Sequence, residues 1–241
     1  MAIYTSKTRI DLEDVGYSNK ITNKAMLKIL ENAGARQSEI IHFGLNDMEN
    51  VGFSWILLGW KVEILKRPIY NEELTINTWG RDSNRIFTYR DYEIYDESGE
   101  LCTIATSKWA IVDINTGKLR ELTPEIIEKY QCETKKVFKE DYTLKLKEPA
   151  TIIRRQEYKA QRRDIDINKH IHNLYYLDYA YEVLPEEVYE APECNNIEIM
   201  YKKQIRLNDE FMCLYTKEEN QNIVTMKSED ENTLHAIIKL Y

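Results

Sequence analysis

Hydrophobic and polar positions along the 241 residues change period in an order that occurs twice. The opening stretch, Ile3 to Ile10, alternates as a short strand does. A polar loop through Gly16 and Asn19 follows. Met26, Ile29, Leu30 and Ala33 then recur at three- and four-residue steps, the spacing of a helix with one buried face. Thr22 is placed to cap that helix and Gly34 to end it. Strand patterns take over next. The apolar run Phe53 to Leu65 stops before Pro68, Glu73 to Trp79 and Arg85 to Tyr95 alternate, and Leu101 to Asp113 makes a long strand. Turn signals at Glu97-Ser98-Gly99 and Asn115-Thr116-Gly117 close the last two.

Residues 123–150 break this pattern. They are rich in Lys and Glu, carry Pro124 and Pro149 near their ends, and allow one short helix at Pro124 to Tyr130. A linker is predicted there, between an N-terminal domain over 1–122 and a C-terminal domain over 151–241. The second half repeats the first: a strand-like stretch at Thr151 to Arg163, then Leu174, Leu177, Tyr181 and Leu184 as a helix stripe behind an N-cap at Asn173. Four strands are predicted after it, at Asn196 to Leu207, Glu210 to Lys217, Asn222 to Ser228 and Thr233 to Leu240. Local matches pair Trp60 to Ile64 with Tyr201 to Ile205, and Arg9 to Asp14 with Arg163 to Asn168, which points to an internal duplication. The predicted class is α+β, each half a curved antiparallel sheet wrapped around a central helix. Two such halves in one chain can pair as a homodimer would, with a groove suited to a long apolar ligand.

The chemistry concentrates between Arg162 and Tyr176. Asp164, Asp166, Asn168 and His170 fall at alternate positions, so an extended chain presents them on one face and Arg163, Ile165, Ile167 and Lys169 on the other. The helix that follows offers amides and a positive dipole end to developing negative charge. The first half has only Gly16 and Tyr17 near the corresponding place, and all 8 Gly lie at or before Gly117. One half is therefore expected to be catalytic and the other to supply walls.

Composition narrows the class. Hydrophobic residues make up 43%, enough for a core, and the net charge of -8 argues against nonspecific nucleic-acid binding. Cys102, Cys132, Cys194 and Cys213 form no CxxC pair, so reduced thiols and no metal site are expected. The start of the chain has no basic-then-apolar signal, and no apolar run reaches the roughly 18 residues of a membrane span. A soluble, cytoplasmic protein without a plastid-type leader is the expectation. There is no Gly-x-Ser-x-Gly elbow and no phosphate loop, and no cofactor is expected.

Three stretches resemble the acyl-acyl carrier protein thioesterases, the family of the plant enzymes that end fatty acid synthesis and their bacterial relatives. They are Thr78-Trp79, Ala105 to Trp109, and above all Asp164-Ile165-Asp166-Ile167-Asn168-Lys169-His170-Ile171-His172-Asn173, which is similar to the family's D-x-D-x-N-x-H-x-x-N signature. The resemblance implies a tandem hot-dog fold, hydrolysis of acyl-carrier thioesters, and catalytic roles for Asp166, Asn168 and His170. The family's Tyr-basic-basic-Glu pattern, often followed by Cys, reads Tyr201-Lys202-Lys203-Gln204-Ile205 here. Gln204 can orient water but cannot act as a base, and a Cys nucleophile at Ile205 is excluded. Asp164 is expected to be a structural partner for Arg162 or Arg163, and His172 to be structural.

Trp55, Trp60, Trp79 and Trp109, with Met26 and Leu30, are candidates to line an acyl channel. The implied partner is acyl carrier protein bearing a phosphopantetheine-linked acyl chain; a homodimer is allowed. That carrier is acidic, so two basic runs are candidate docking sites: Arg154, Arg155, Lys159, Arg162 and Arg163, or Lys202, Lys203 and Arg206. Competing readings are an acyl-coenzyme A thioesterase, a catalytically silent acyl-binding protein and a hot-dog dehydratase.

Overall fold

The computed structural model describes residues 2–140 and 144–241, the side chains at 82 and 83 excepted. The chain divides into two units, Met1–Thr143 and Leu144–Tyr241. The first opens with strand β1 (Tyr4–Arg9), a 3-10 turn at Leu12–Asp14 and helix α1 (Asn23–Ile40). Helix α2 (Met48–Val51), strands β2 (Phe53–Ile64), β3 (Glu73–Ser83), β4 (Thr88–Tyr95), β5 (Leu101–Asp113) and β6 (Leu119–Arg120), and helix α3 (Pro124–Tyr130) follow. The strands pair antiparallel in the order β1-β3-β4-β5-β2, with β6 on β5.

Thr22 caps α1 as predicted, its hydroxyl accepting from the Ala25 amide at 3.1 Å. Gly34 does not end the helix, which runs on to Ile40. A Cβ at Gly34 would lie 2.9 Å from the Tyr92 hydroxyl and 3.1 Å from Arg90 Cδ. The glycine therefore serves a close helix-to-sheet approach and not a turn. Met26, Leu27, Leu30 and Ala33 bury the apolar stripe of α1, each fully enclosed larger side chain contributing roughly 1.5–3 kcal/mol. The sheet face opposite carries polar groups as well. Buried Arg90 donates to Gln37 and, at 3.2 Å, to Thr78.

The stretch expected to be a linker contributes to the core of the first unit. Ile126 and Tyr130 of α3 pack with Phe43, Phe53, Ile111 and Leu122, and Trp55 lies edge-on to Tyr130 at 5.6 Å. Beyond α3, the Glu133 amide donates to Gly80 and the Val137 amide to the Asp91 carboxylate. Ile126 and Tyr130, spaced among Lys and Glu, dock the helix, and a composition average hides them. Of the expected linker, residues 141–143 lie outside the described residues.

The second unit contains β7 (Arg154–Lys159), a 3-10 turn at Arg162–Asp164, α4 (Tyr175–Val183), α5 (Glu186–Tyr189), β8 (Asn196–Tyr201), β9 (Glu210–Glu218), β10 (Gln221–Ser228) and β11 (Leu234–Leu240). Its strand order is β8-β11-β10-β9-β7, antiparallel throughout. Helix α4 buries Tyr176, Leu177, Ala180 and Val183, and Pro185 stops it after half the length of α1. Asn173 does not cap it. The helix begins at Tyr175 behind Leu174, and the Asn173 carbonyl accepts from the Tyr201 hydroxyl at 3.1 Å.

The duplication is visible atom by atom. The Thr22 amide donates to the Asp14 carbonyl at 2.9 Å, and the His172 amide to that of Asp164 at 2.8 Å. The Ile21 amide meets the Pro68 carbonyl at 2.9 Å, and the Ile171 amide that of Ile205 at 2.8 Å. The Leu65 amide bonds the Cys102 carbonyl, and the Lys202 amide that of His235, both at 2.8 Å. Asp14 thus corresponds to Asp164 and Leu65 to Lys202. Both local sequence matches point to a repeat that exists, but each places it out of register: backbone bonding, not side-chain similarity, defines the equivalence.

Candidate active site

The Asp166–His170 stretch is a tight turn and not an extended strand. The Asp166 amide donates to the His170 carbonyl at 2.9 Å, and the Lys169 amide returns to the Asp166 carbonyl at 3.0 Å. Lys169 holds φ at +64°, a region an L residue enters at some cost. The turn is anchored from below by Asp164, which is 4% exposed. Asp164 accepts from the Gln161 amide at 2.9 Å and from the Tyr179 hydroxyl at 2.6 Å. Its expected arginine partner is weaker, Arg163 Nε standing 3.7 Å away. Asp164 is therefore tied chiefly to helix α4, not to the arginines.

Asp166 turns one oxygen inward. Its Oδ1 accepts from the Asn168 amide at 2.8 Å and the His170 amide at 3.4 Å. Among the described residues its Oδ2 meets only the Asn168 side-chain amide, at 3.5 Å, and keeps lone pairs for other partners. His170 is half-buried, and among the described residues its ring makes no hydrogen bond. Burial pushes its pKa below the ordinary histidine value; the Asp166 charge opposes that shift and the Arg206 charge adds to it. A neutral imidazole is thereby favoured beside a carboxylate, the combination a general base requires.

The segment after β8 runs alongside this turn. Residue 170 bridges to Arg206, and Ile171 bonds the Ile205 carbonyl. Gln204 lies on that segment, exposed and with no hydrogen bond among the described residues. The fold thus brings all four expected site residues to adjoining stretches of backbone: Asp166, Asn168 and His170 on one turn, Gln204 on the neighbouring one. The helix-start amides are less available than expected. Leu174 donates to His172 Nδ1 at 3.3 Å and Tyr175 to the His172 carbonyl at 2.9 Å. His172 is the residue that organises the entry to α4.

One residue escaped the sequence reading. His235 on β11 is 6% exposed, and its Nδ1 sits 2.8 Å from the Lys203 carbonyl. A carbonyl only accepts, so Nδ1 carries the proton. Burial leads in pushing its pKa down. The imidazole clamps the segment bearing Gln204 one residue upstream. A lone histidine in an alternating apolar strand offers no signal for this, because its partner is a backbone atom distant in sequence.

The acyl-channel candidates divide. Trp60, Met26 and Leu30 are buried in the first unit, Trp60 standing 5.3 Å from Tyr92. Trp79 lies on the strand face opposite Thr78 and donates to the Lys135 carbonyl at 3.0 Å, so it packs under residues 131–138. Trp109 donates to Ser107 at 2.7 Å. None of the four cysteines forms a disulfide among the described residues. Among the described residues no helix is long and apolar enough to cross a membrane.

The family model for the acyl-ACP thioesterase N-terminal domain matches residues 1–130, and that for the C-terminal domain matches residues 147–239. The chain belongs to the acyl-ACP thioesterase family. Within this family, the chloroplastic oleoyl-acyl carrier protein thioesterase 2 of Arabidopsis thaliana is 25% identical over 238 residues, covering 92% of this chain and 65% of that protein. The oleoyl-acyl carrier protein thioesterase of Coriandrum sativum is 23% identical over 240 residues, 93% of this chain and 65% of its own length. The chain thus spans slightly less than two thirds of these curated relatives. Among solved structures, an acyl-ACP thioesterase from Bacteroides thetaiotaomicron superimposes with a TM-score of 0.86 at 22% identity, covering 99% of this chain and 96% of that one. The 12:0-ACP thioesterase from Umbellularia californica gives 0.86 at 16% identity, with the same coverage. These likenesses establish the hot-dog fold in this acyl-ACP thioesterase family member.

Proposed function

We propose that this chain hydrolyses the thioester of fatty acyl-acyl carrier protein, releasing free fatty acid and the carrier's thiol. The observation that carries the reading is the Asp166–His170 turn, which sets an open carboxylate oxygen beside a half-buried imidazole. Neutral His170 takes a proton from a water that Asp166 Oδ2 orients; that water adds to the acyl carbonyl, or opens the mixed anhydride formed when Asp166 itself has attacked and displaced the thiolate. The carbon–sulfur bond breaks with its electron pair on sulfur, and His170 passes the proton it took from water to the thiolate. Asn168 keeps the Asp166 carboxylate oriented, and Gln204, without a hydrogen bond among the described residues, positions water. The membership of the family and the relatives' names support a carrier-bound substrate.

Free-thiol release from acyl carrier protein thioesters of graded chain length tests the reaction. Wild type is expected to turn over at least one chain length, and Asp166→Asn to lose about two to four orders of magnitude. Gln204, in place of an acid, favours one other reading, a silent acyl-binding protein. Tight retention of acyl ligand with no thiol released from any thioester would select it.

A further inference from the structure

The two basic runs in the sequence have opposite fates in the second unit. Arg154 donates to the Leu184 carbonyl at 2.9 Å, Arg155 pairs with Glu231, and Lys159 pairs with Glu210 at 2.9 Å. These three are held within the unit, Arg155 and Lys159 with their charges paired. Lys202, Lys203 and Arg206 are exposed, and their side chains make no ion pair among the described residues. The same holds for Lys169, at the apex of the Asp166–His170 turn, and for Arg162 beneath it. Backbone bonding between 170–171 and 205–206 keeps these cations in one neighbourhood. They form a collar on a protein whose net charge is -8.

Two exposed apolar side chains sit among them, Ile167 at 69% exposure and Leu207. The first unit shows what the same surface looks like without this use. Leu12 stands where the second unit has Arg162, Leu65 where it has Lys202 and Ile69 where it has Arg206. Lys66, in the place of Lys203, is paired with Asp96 at 2.7 Å and with Glu100. The duplicated backbone therefore carries fewer cations at these places in one copy, and a cluster without ion pairs, making a cationic surface, in the other. The cationic copy is the one that bears Asp166 and His170.

We propose that Arg162, Lys169, Lys202, Lys203 and Arg206, with Ile167 and Leu207 between them, dock the acidic carrier protein through a carboxylate-rich helical face that also bears apolar side chains. This rests on the reading of the reaction given above and adds the surface that delivers the substrate. Unpaired cations on a rim act mainly by steering encounter, and salt screens them over about 8–10 Å. Apolar contacts among them give the complex its lifetime. A carrier seated on the collar brings the root of its prosthetic arm to the Asp166–His170 turn.

The test is binding of purified holo-acyl carrier protein, without an acyl group, by fluorescence anisotropy at low and moderate salt. The double variant Lys202→Glu/Lys203→Glu is expected to weaken binding about tenfold or more and to flatten its salt dependence. Arg155→Glu/Lys159→Glu, at the paired cations, is expected to bind as wild type does. Circular dichroism checks that both variants fold, and Lys202→Gln/Lys203→Gln gives an intermediate loss that needs no reversed charge. Unchanged carrier binding in the Glu variant would overturn the proposal. So would a loss confined to free coenzyme A, or to anionic phospholipid vesicles, with carrier binding intact. Because no thioester is present, loss of docking and failure of hydrolysis are separate results.

Discussion

The turn at Gly16–Lys20 and the turn at Asp166–His170 are one backbone built twice. The Gly16 amide meets the Lys20 carbonyl at 3.0 Å where Asp166 meets His170 at 2.9 Å, and Asn19 holds φ at +57° where Lys169 holds +64°. Beneath them, buried Asp14 and Asp164 do the same anchoring work. The side chains differ entirely. Glycine and lysine occupy the places of the carboxylate and imidazole. Arg67, the counterpart of Gln204, folds back to donate to the Ile21 carbonyl at 2.8 Å and Asn23 at 2.9 Å, so it closes the first turn instead of leaving a group free. The difference teaches that the turn is a structural device first. On the proposed reading, one copy alone carries the reactive set on it: Asp166, Asn168 and His170, with Gln204 on the neighbouring segment.

Exchange of residues between the turns tests this most severely. Asp166→Gly, which installs the first unit's residue, is expected to lower kcat for thiol release about a thousandfold with little change in melting temperature. Gly16→Asp should leave both unchanged, because a Cβ there meets only Thr22 Cγ2 at 3.6 Å. A comparable loss of rate in both variants would break the comparison. His170→Lys, again the first unit's residue, should cost about a hundredfold in kcat.

The clamp on the neighbouring segment is next in size. Cys102 holds the place of His235 in the first unit and gives its sulfur to the Glu100 carbonyl, 3.5 Å away. His235→Leu should lower kcat about tenfold, an estimate based on the sensitivity of catalysis to misplacement. His235→Asn, which can still donate to the Lys203 carbonyl, should recover most of it. Equal losses in both variants would reduce His235 to packing.

The anchors differ in environment. Tyr179→Phe removes the hydroxyl from buried Asp164 and should cost about 1–3 kcal/mol by chemical denaturation. Lys28→Met removes the 2.6 Å partner of Asp14, but that lysine is partly exposed, and about 0–1 kcal/mol is expected.

The smallest effects concern pH. His170 needs to be neutral to act as a base, so activity should rise with pH through a midpoint below the ordinary value of 6.5. Arg206→Gln removes one cause of that depression and should move the midpoint upward. Stability follows the same sign. His170 and His235 are both held below 6.5, so the unfolded chain takes up their protons first as pH falls. Their contribution is present above 6.5 and is lost as pH drops from there toward the depressed folded values. Melting temperature against pH checks this.

Much of this was legible without coordinates. Period changes located α1 and nearly every strand, because an amphipathic segment must turn one face to a core and its spacing records which. The Asp166, Asn168 and His170 set was legible for a different reason: it is local, and five consecutive residues carry it. The sequence by itself determined the two-copy architecture, the chemical inventory of the second turn and the excess of acid over base. Only the tertiary structure decided what each group meets. It made Gly34 a point of helix-to-sheet contact, drew α3 into the first unit's core, moved the N-cap position from Asn173 to Leu174 and set His235 under the Lys203 carbonyl. It also separated basic side chains that pair within the unit, Arg155 and Lys159, from ones that do not, Lys202, Lys203 and Arg206. The physical reason is common to all five. Each depends on a partner dozens of residues away or on a backbone atom, and neither leaves a period or a motif in the chain.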